Sequence, residues 1–382
     1  MPILVQITDK PSPGGGIRRV VDQHRLMFTA RGWQVRELRL VRSGSAPQDV
    51  ATAPIEVGLH LRSSSDSVPA LLDAARGADI VHLHLGFASL SAAFVAAAAS
   101  AAPLVVHLHD VSPFEGLGLE EIGVDGRTDA PSLVTRLIRW RRAPVRRAVW
   151  RRICLDARMI IAPSHYLARL AIAAGAPEAC VVVVPHAVDA LPINPLRPSA
   201  CSPIIVYAGL LSEEKGAPLL LDAFGRLATP DAELVYVGDG PARVAMEQRA
   251  QGSRVRFLGH VDAAAVAMSM SNARVLAHPS LIPEGFGLVG IEAMQLGRPV
   301  VGFGLGGSAD WLIVGKTGLV AARRDAASLA AALDNVLTDG ILADRLGAAG
   351  RLLASEMYSA ELVADELMTA MQSAMRVPLG RL

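Results

Sequence analysis

Short apolar segments alternate with helix-compatible segments along most of this 382-residue chain. Ile3–Thr8 and Leu104–Leu108 are nearly continuously apolar, and stretches such as Gly16–Ala30 separate segments of this kind. Strands that are apolar on both faces are typical of a parallel sheet covered by helices on both sides. The first half therefore predicts an α/β domain, with further strands at Asp79–Leu83, Met159–Ala162 and Val181–Val184 and further helices at Ser89–Ala101, Pro131–Ala157 and Ser164–Ala174.

A second alternating set follows the proline-rich stretch Pro185–Pro203, which lacks periodicity. The pattern predicts two doubly wound, Rossmann-like domains that face each other across a cleft, because such sheets bind ligands beyond the carboxyl ends of their strands. The predicted boundaries are 1–185 and 204–357 for the domains, 186–203 for an interdomain linker and 358–382 for a C-terminal helix. The second set of strands is predicted at Ile204–Ala208, Glu233–Val237, Val255–Leu258, Arg274–Ala277 and Pro299–Gly302, with helices at Ala217–Ala228, Pro241–Ala250, Ala263–Ser269, Leu288–Leu296, Ala326–Leu337 and Ser359–Arg376.

The composition narrows the class of protein. Hydrophobic residues make up 51% of the chain, which allows large cores, and the formal net charge of +1 gives no support to nucleic-acid binding. The three cysteines show neither metal nor redox spacing, and their odd number argues against a disulfide framework. No signal peptide or membrane span is visible, so we expect a cytoplasmic protein.

A glycine-rich turn between two glutamates is the strongest functional signal. Glu284 precedes Gly285 and Gly287, and Glu292 lies about one turn into the helix that begins near Leu288. Glycines let a ligand approach the backbone, and the free amides of a helix N-terminus favour an anion such as a phosphate. The segment predicts a sugar-nucleotide site, in which the carboxylates accept hydrogen bonds from hydroxyls. The alternative is an ordinary strand–loop–helix corner with two solvated glutamates.

Three other loops follow predicted strands. The glycines of Ser12–Gly16 open a helix, but their spacing differs from the dinucleotide-binding G-x-G-x-x-G pattern, so a nicotinamide cofactor is disfavoured. In Gly209–Gly216, Lys215 places a cation beside a helix start. Val237–Pro241 is a turn with proline at the first helical position.

These motifs resemble, in order and spacing, those of the retaining glycosyltransferases of family 4, which have the GT-B fold. Glu284 and Glu292 match the E-x7-E signature, and Gly15–Gly16 is similar to the N-terminal glycine loop. The segment at Gly209 is similar to G-R-L-x-x-E-K-G, except that Leu210 replaces the arginine. The resemblance also implies that the C-terminal helix crosses back to the first domain.

The resemblance implies a role for each matching residue. Glu292 would bind the ribose, Glu284 the transferred sugar, and Lys215 the diphosphate. Because leucine cannot make the bidentate phosphate contacts of arginine, we hypothesise that Arg18 assists Lys215. The predicted catalytic residues are His109, Lys215 and Glu284, and the predicted donor-binding residues are Gly15, Gly16, Arg18, Gly209, Lys215, Gly259, His260, Val261, Glu284, Gly285, Phe286, Gly287, Leu288, Val289 and Glu292.

The predicted activity is transfer of a sugar from a nucleoside-diphosphate donor to an acceptor hydroxyl with retention, without a cofactor or a metal ion. The histidines at strand ends, His82, His84, His107 and His109, show alternation rather than a metal-ligand pattern, so no metal is assigned to them. Two alternatives remain open: a sugar-nucleotide epimerase on the same fold, and a non-catalytic binding or partner subunit. The acceptor is a glycan, a lipid-linked sugar or a small molecule.

The segment Arg136–Arg152 contains eight arginines and two tryptophans. This composition is typical of a helix that lies on an anionic membrane surface, which would make the protein peripheral at the inner face of the cell membrane. A second interpretation is the solvated face of a core-covering helix, kinked at Pro144, with Trp140, Val145 and Val149 buried. A third is a site for a phosphorylated lipid or acidic glycan acceptor.

Overall fold

The computed structural model describes residues 1–8, 16–42, 55–59, 67–85, 90–114, 133–189 and 193–376. These residues form two compact units, each with its own core. The first contains the described residues up to 187 together with the C-terminal helix from 361, and the second contains residues 188–360.

The first unit is built on a seven-stranded sheet whose described pairings are all parallel, in the order β3-β2-β1-β4-β5-β6-β7. The connection from β3 to β4 carries the chain past β1, which makes the β1–β4 boundary a topological switch point. The strands are β1 Ile3–Thr8, β2 Gln34–Arg42, β3 Ile55–Leu59, β4 Ile80–His84, β5 Leu104–His107, β6 Ala157–Ala162 and β7 Val181–Val183. The helices are α1 Gly16–Ala30, α2 Ser67–Ala74, α3 Ala92–Ala101, α4 Leu133–Asp156 and α5 His165–Ala173.

The second unit contains a six-stranded parallel sheet in the order β10-β9-β8-β11-β12-β13, with its switch point between β8 and β11. The strands are β8 Ile204–Ala208, β9 Glu233–Val237, β10 Val255–Phe257, β11 Val275–His278, β12 Val300–Gly302 and β13 Gly318–Val320. The helices are α6 Ala217–Phe224, α7 Arg243–Arg249, α8 Ala263–Asn272, α9 Leu288–Gln295, α10 Ala326–Thr338 and α11 Gly340–Met357. The last helix of the chain, α12 Ala360–Arg376, packs with the first unit, where Arg31 and Asp365 form an ion pair of 2.6 Å.

The predicted fold class is therefore confirmed in its two doubly wound α/β units, and most predicted elements agree with the observed ones to within a few residues. Five elements were not predicted from the sequence: β2, β3, α2, β13 and α11. Side-chain caps fix several observed helix starts, since Ser91, Ser164 and Asp262 each accept a hydrogen bond from a first-turn amide.

Helix α4 runs without interruption through Pro144. The side chains of 133–142, including Trp140, lie outside the described residues. In the described half, Val149 is buried as the solvated-face interpretation expects, but Val145 is 58% exposed, so its predicted burial is wrong. Among the described residues no single helix is long and apolar enough to cross a membrane; α10 and α11 pass that test only as a pair bent by 97°.

Candidate functional site

Two loops meet at the switch point of the second sheet, because β8 and β11 are neighbours and both end at the same edge. Gly209–Gly216 follows β8, and the segment 279–287 follows β11. The amide of Leu281 donates to the carbonyl of Glu214 at 2.9 Å. Gly216, at φ 69°, approaches the carbonyl oxygen of Pro279 so closely that a Cβ would lie 1.9 Å from it. Backbone contacts therefore fix the position of the two loops relative to each other.

Lys215 and Glu284 form an ion pair across these loops. The Nζ of Lys215 lies 2.8 Å from each carboxylate oxygen of Glu284, and both side chains are partly shielded from solvent. Burial raises the pKa of Glu284, but the Lys215 ammonium and the hydrogen bonds to the carboxylate outweigh that effect, so the pKa lies below its usual 4.5. Glu284 is thus ionised at neutral pH.

Sequence reasoning missed two polar side chains beneath Glu284. The hydroxyl of Ser280 donates to the carbonyl of Ile282 at 2.9 Å. Ser280 and His278 both lie close enough to the Glu284 carboxylate to lower its pKa. Burial lowers the pKa of His278 below its usual 6.5, and Lys215 adds to this, although Glu284 acts in the opposite direction. Their position at and just after the end of β11 is a sequence signal that could have identified them, since ligands bind beyond strand ends.

The N-terminus of α9 lies directly after Glu284. Gly287 caps the helix at φ 88°, in the left-handed region that favours glycine. A Cβ there would lie 3.0 Å from the ring of Trp311, whose indole Nε1 donates to the carbonyl of Phe286 at 2.7 Å. Trp311, which is fully buried, therefore supports the turn from behind and fixes the direction of the first-turn amides of α9.

The backbone of Glu284 is fixed from a third segment. Its amide donates to the carbonyl of Leu305 at 3.2 Å, and its carbonyl accepts from the amide of Gly307 at 2.7 Å. At Gly306 a Cβ would lie 2.6 Å from the carbonyl oxygen of Glu284. Glu284 therefore occupies a rigid position between the loops after β11 and β12.

The structure brings several further predicted residues to the same edge of the second sheet. Gly209 follows β8, and the amide of Gly238 donates to the carbonyl of Gly259 at 2.8 Å after β10. Exposed His260 and partly exposed Val261 follow Gly259. After Glu284, Gly285 and Phe286 are buried. Leu288 and Val289, at the start of α9, are partly exposed. Farther along the helix, Glu292 is only 8% exposed.

Leu210, at the position where the related motif has arginine, is 54% exposed. The carbonyl of Leu210 accepts a hydrogen bond from the hydroxyl of Tyr207 at 2.7 Å, which fixes the backbone of this turn. The turn is therefore preserved while the cationic side chain is missing.

The predicted residues of the first unit lie around the ends of its strands. Gly15 lies outside the described residues, and Gly16 is the first residue of α1. The Arg18 guanidinium is paired with Asp22 at 2.6 Å and with Glu37 at 2.9 Å, so its charge is already balanced within this unit. His109 is buried one residue beyond Leu108 and shares a hydrogen bond of 2.9 Å with His84.

Two doubly wound parallel sheets in one chain, with an anion-compatible corner at a switch point, define the GT-B class of proteins. Solved structures support this class over nearly the full length. Sucrose-phosphate synthase from Thermosynechococcus elongatus has a TM-score of 0.76 at 22% identity, covering 97% of this chain and 98% of that one. Anabaena HepE in complex with UDP and glucose has a TM-score of 0.72 at 19% identity, covering 98% and 100%.

Family comparisons agree with the fold. The family described as Glycosyltransferase Family 4 matches residues 14–190, and the family described as Glycosyl transferases group 1 matches residues 202–339. The chain belongs to the GT-B glycosyltransferases, and the resemblance inferred from its motifs is confirmed.

Curated relatives are similar over part of their length. A glycogen synthase of Mycobacterium tuberculosis (strain H37Rv) is 34% identical over 179 residues, which is 45% of this chain and 43% of that protein. A GDP-mannose-dependent alpha-(1-6)-phosphatidylinositol monomannoside mannosyltransferase of Mycolicibacterium smegmatis is 30% identical over 235 residues, 56% of this chain and 61% of that protein. The chain thus spans about half the length of the curated relatives it matches.

Proposed function

We propose that this protein is a retaining glycosyltransferase that transfers a sugar from a nucleoside-diphosphate donor to an acceptor hydroxyl. The observation that carries the proposal is the Lys215–Glu284 ion pair at the N-terminus of α9. A cation, a carboxylate and first-turn helix amides at one switch point match the diphosphate and the hydroxyls of a sugar nucleotide.

Donor binding replaces the internal ion pair with two separate contacts. The Lys215 ammonium turns from Glu284 to the diphosphate, which the amides at the start of α9 also face. The Glu284 carboxylate then accepts hydrogen bonds from the sugar, next to the backbone of Gly285–Gly287. Glu292, farther along the helix, accepts from the ribose hydroxyls.

The chemistry needs little from the protein beyond charge stabilisation. The bond between the anomeric carbon and the diphosphate oxygen breaks, and the acceptor oxygen bonds to that carbon on the same face. The departing diphosphate takes the acceptor's proton, so no protein base is required. Lys215 and the helix N-terminus stabilise the charge that grows on the leaving group, which we propose replaces a metal ion in this role.

A thermal-shift screen of UDP-, GDP- and ADP-sugars, followed by turnover assays with the best donor, tests this function. We expect Lys215→Ala to lower kcat/KM by about 100- to 1,000-fold, the effect of removing one charge-stabilising donor from an active site. Lys316→Ala, at an exposed lysine of the same unit, is the matched control and should leave turnover unchanged. Unchanged turnover in Lys215→Ala would contradict the assignment.

The exposed Leu210 favours a second candidate, a binding or partner subunit without turnover. A leucine at this position weakens the clamp on the diphosphate. Leu210→Arg should therefore tighten donor binding in either case. Turnover that rises with affinity supports the transferase, whereas tight binding with no product from any acceptor supports the binding subunit. Products formed from the donor alone would indicate an epimerase.

We further propose that the acceptor is a carbohydrate or lipid-linked molecule and that the protein is a cytoplasmic enzyme acting at the inner face of the cell membrane. The names of several relatives include phosphatidylinositol mannosides, which are lipid-linked acceptors. In the described half of α4, Arg147 and Arg151 are exposed near exposed Val145 and Leu155. Basic and apolar side chains together on a helix surface suit anionic lipids.

Flotation with anionic vesicles tests this contact. The protein should float at low salt and dissociate at high salt, because surface charges are screened. Arg147→Glu/Arg151→Glu should abolish flotation, whereas Arg345→Glu/Arg351→Glu, at exposed arginines of α11, should not. Equal loss in both double variants would point to net charge alone rather than to α4.

A further inference from the structure

Six buried histidines line one side of the first sheet. His24 lies on α1, His82 and His84 on β4, His107 at the end of β5, and His109 and His186 just beyond the ends of β5 and β7. Residues two apart on a strand share a face, and the parallel register sets His84 directly opposite His107. Alternation on neighbouring strands therefore concentrates imidazole rings against α1.

Four of these side chains converge on one point. One ring nitrogen from each of His24, His82, His84 and His107 lies within 4.8 Å of the corresponding nitrogens of the other three. In a tetrahedral site with metal–nitrogen distances of 2.0–2.1 Å, the nitrogens are separated by about 3.3 Å. The observed limit of 4.8 Å exceeds that spacing by about 1.5 Å, which the rings have to close when they bind an ion.

The strand histidines of this group also have ring nitrogens without a hydrogen-bond partner among the described residues. His82 Nε2 and His107 Nδ1 are 3.3 Å apart, and His84 Nδ1 is 2.9 Å from His109 Nε2. These contacts use one nitrogen of each strand histidine. The other nitrogens, His82 Nδ1, His84 Nε2 and His107 Nε2, have no hydrogen-bond partner among the described residues.

His24 gives the most direct indication. It is fully buried, and neither of its ring nitrogens has a hydrogen-bond partner within the described part of the chain. Buried polar atoms are normally satisfied, because an unpaired one keeps the cost of leaving water without a compensating contact. A leucine would fill similar space without that cost. The imidazole at this position is therefore best explained by a ligand that binds one of its nitrogens.

We propose that His24, His82, His84 and His107 form a binding site for one divalent transition-metal ion of the zinc, cobalt or copper type. All four residues belong to the first unit, and the proposal does not depend on the proposed function.

The chemistry of the donor set selects the class of ion. Four imidazoles suit zinc, copper, nickel and cobalt, whereas magnesium, calcium and manganese prefer oxygen ligands. Metals bind the neutral form of imidazole, through whichever ring nitrogen carries no proton. The sequence predicted no metal because the strand histidines show alternation rather than a metal-ligand pattern. The convergence arises only in the fold, since the four residues come from three separate elements.

The test uses the full-length chain, expressed without a histidine tag in zinc- or cobalt-supplemented medium so that the ion is loaded during folding. We expect one ion per chain by elemental analysis and the intense visible absorption of tetrahedral Co²⁺. X-ray absorption of the zinc form should show four nitrogen ligands with imidazole scattering. An octahedral cobalt spectrum, or a chain purified without metal, would overturn the proposal.

His24→Leu is the decisive variant, because its ring makes no hydrogen bond within the described residues and its loss should leave the fold intact. It should weaken metal affinity by at least about 100-fold, since even outer-shell changes cost 10- to 100-fold. Its Tm should not rise with cobalt, whereas that of the wild type should. His165→Gln, at an exposed histidine, is the control and should retain the metal. Equal metal content in His24→Leu and wild type would refute the site; if His24→Leu does not fold, the X-ray absorption ligand count decides.

Discussion

At the residue scale, Lys215 and Glu284 neutralise each other's charge. The pair stabilises the folded chain at neutral pH and keeps two functional groups in place at the turn. It also means that a donor must compete with Glu284 for the lysine. Removal of the carboxylate therefore changes both the stability of the folded chain and the binding of the donor. The effect on folding stability can be recognised by its dependence on pH.

The first prediction concerns the pH dependence of Glu284. Its pKa is lower in the folded chain than the usual 4.5, so the unfolded chain binds more protons across the acidic range. The stabilisation is therefore fully present at neutral pH and is lost as the pH falls through 4.5 towards the folded pKa. Urea unfolding at pH 7 and pH 4 should show a smaller loss of stability in Glu284→Gln than in wild type.

Glu214→Gln, at an exposed glutamate of the same loop, is the control for this measurement and should follow the wild type. Parallel pH profiles for wild type and Glu284→Gln would show that the ion pair contributes nothing to the folded state.

The sequence predicted Glu284 and Lys215 because a short motif carries each of them. It did not predict the support from His278 and Ser280, or the packing of Trp311 behind Gly287. These contacts join loops that are far apart in the chain, and no local spacing encodes them. The convergence of the histidines was missed for the same reason: alternation identifies a face of one strand, but not which helix packs against it.

At the element scale, helix α9 depends on the turn that begins it. Gly287 has φ 88° and lies against Trp311, so an added Cβ meets both backbone strain and a ring atom at 3.0 Å. We expect Gly287→Ala to destabilise the protein by about 1–3 kcal/mol and to misdirect the first-turn amides. Donor affinity should fall with stability, as measured by calorimetric titration and thermal unfolding.

Gly252→Ala provides the matched control for that prediction. Gly252 has φ 77°, but no atom lies within 4 Å of its added Cβ among the described residues. It should therefore show the backbone strain alone, with donor affinity unchanged. An affinity loss of the same size in both variants would mean that strain rather than the position of α9 limits binding.

The elements that sequence reasoning missed have a common physical cause. Strand β2 contains charged residues among its apolar ones, and β3 lies at the edge of the sheet, so neither shows the continuous apolar run of a central strand. Helix α11 contains glycines that weaken helix propensity but allow close packing, since a Cβ at Gly347 would lie 2.1 Å from the carbonyl of Gly297. Tertiary packing, not local preference, decides these segments.

At the scale of the whole molecule, each unit has its own buried core and its own switch point. The repeated strand–helix pattern predicted this duplication, because each half contains enough apolar strands for one sheet. The loops and the helix N-terminus around the Lys215–Glu284 pair belong to the second unit, whereas the four histidines belong to the first.

The last prediction follows from that separation. Hydrogen exchange measured with and without a saturating nucleotide-sugar should show protection in Gly209–Gly216 and in 283–292, where the donor orders two loops and the start of α9. The strands of the histidine site, β4 and β5, should respond to cobalt loading instead. The Lys215→Ala variant should lose the donor-dependent protection and keep the cobalt-dependent protection. Donor protection confined to the first unit would place the nucleotide elsewhere and refute the switch-point assignment.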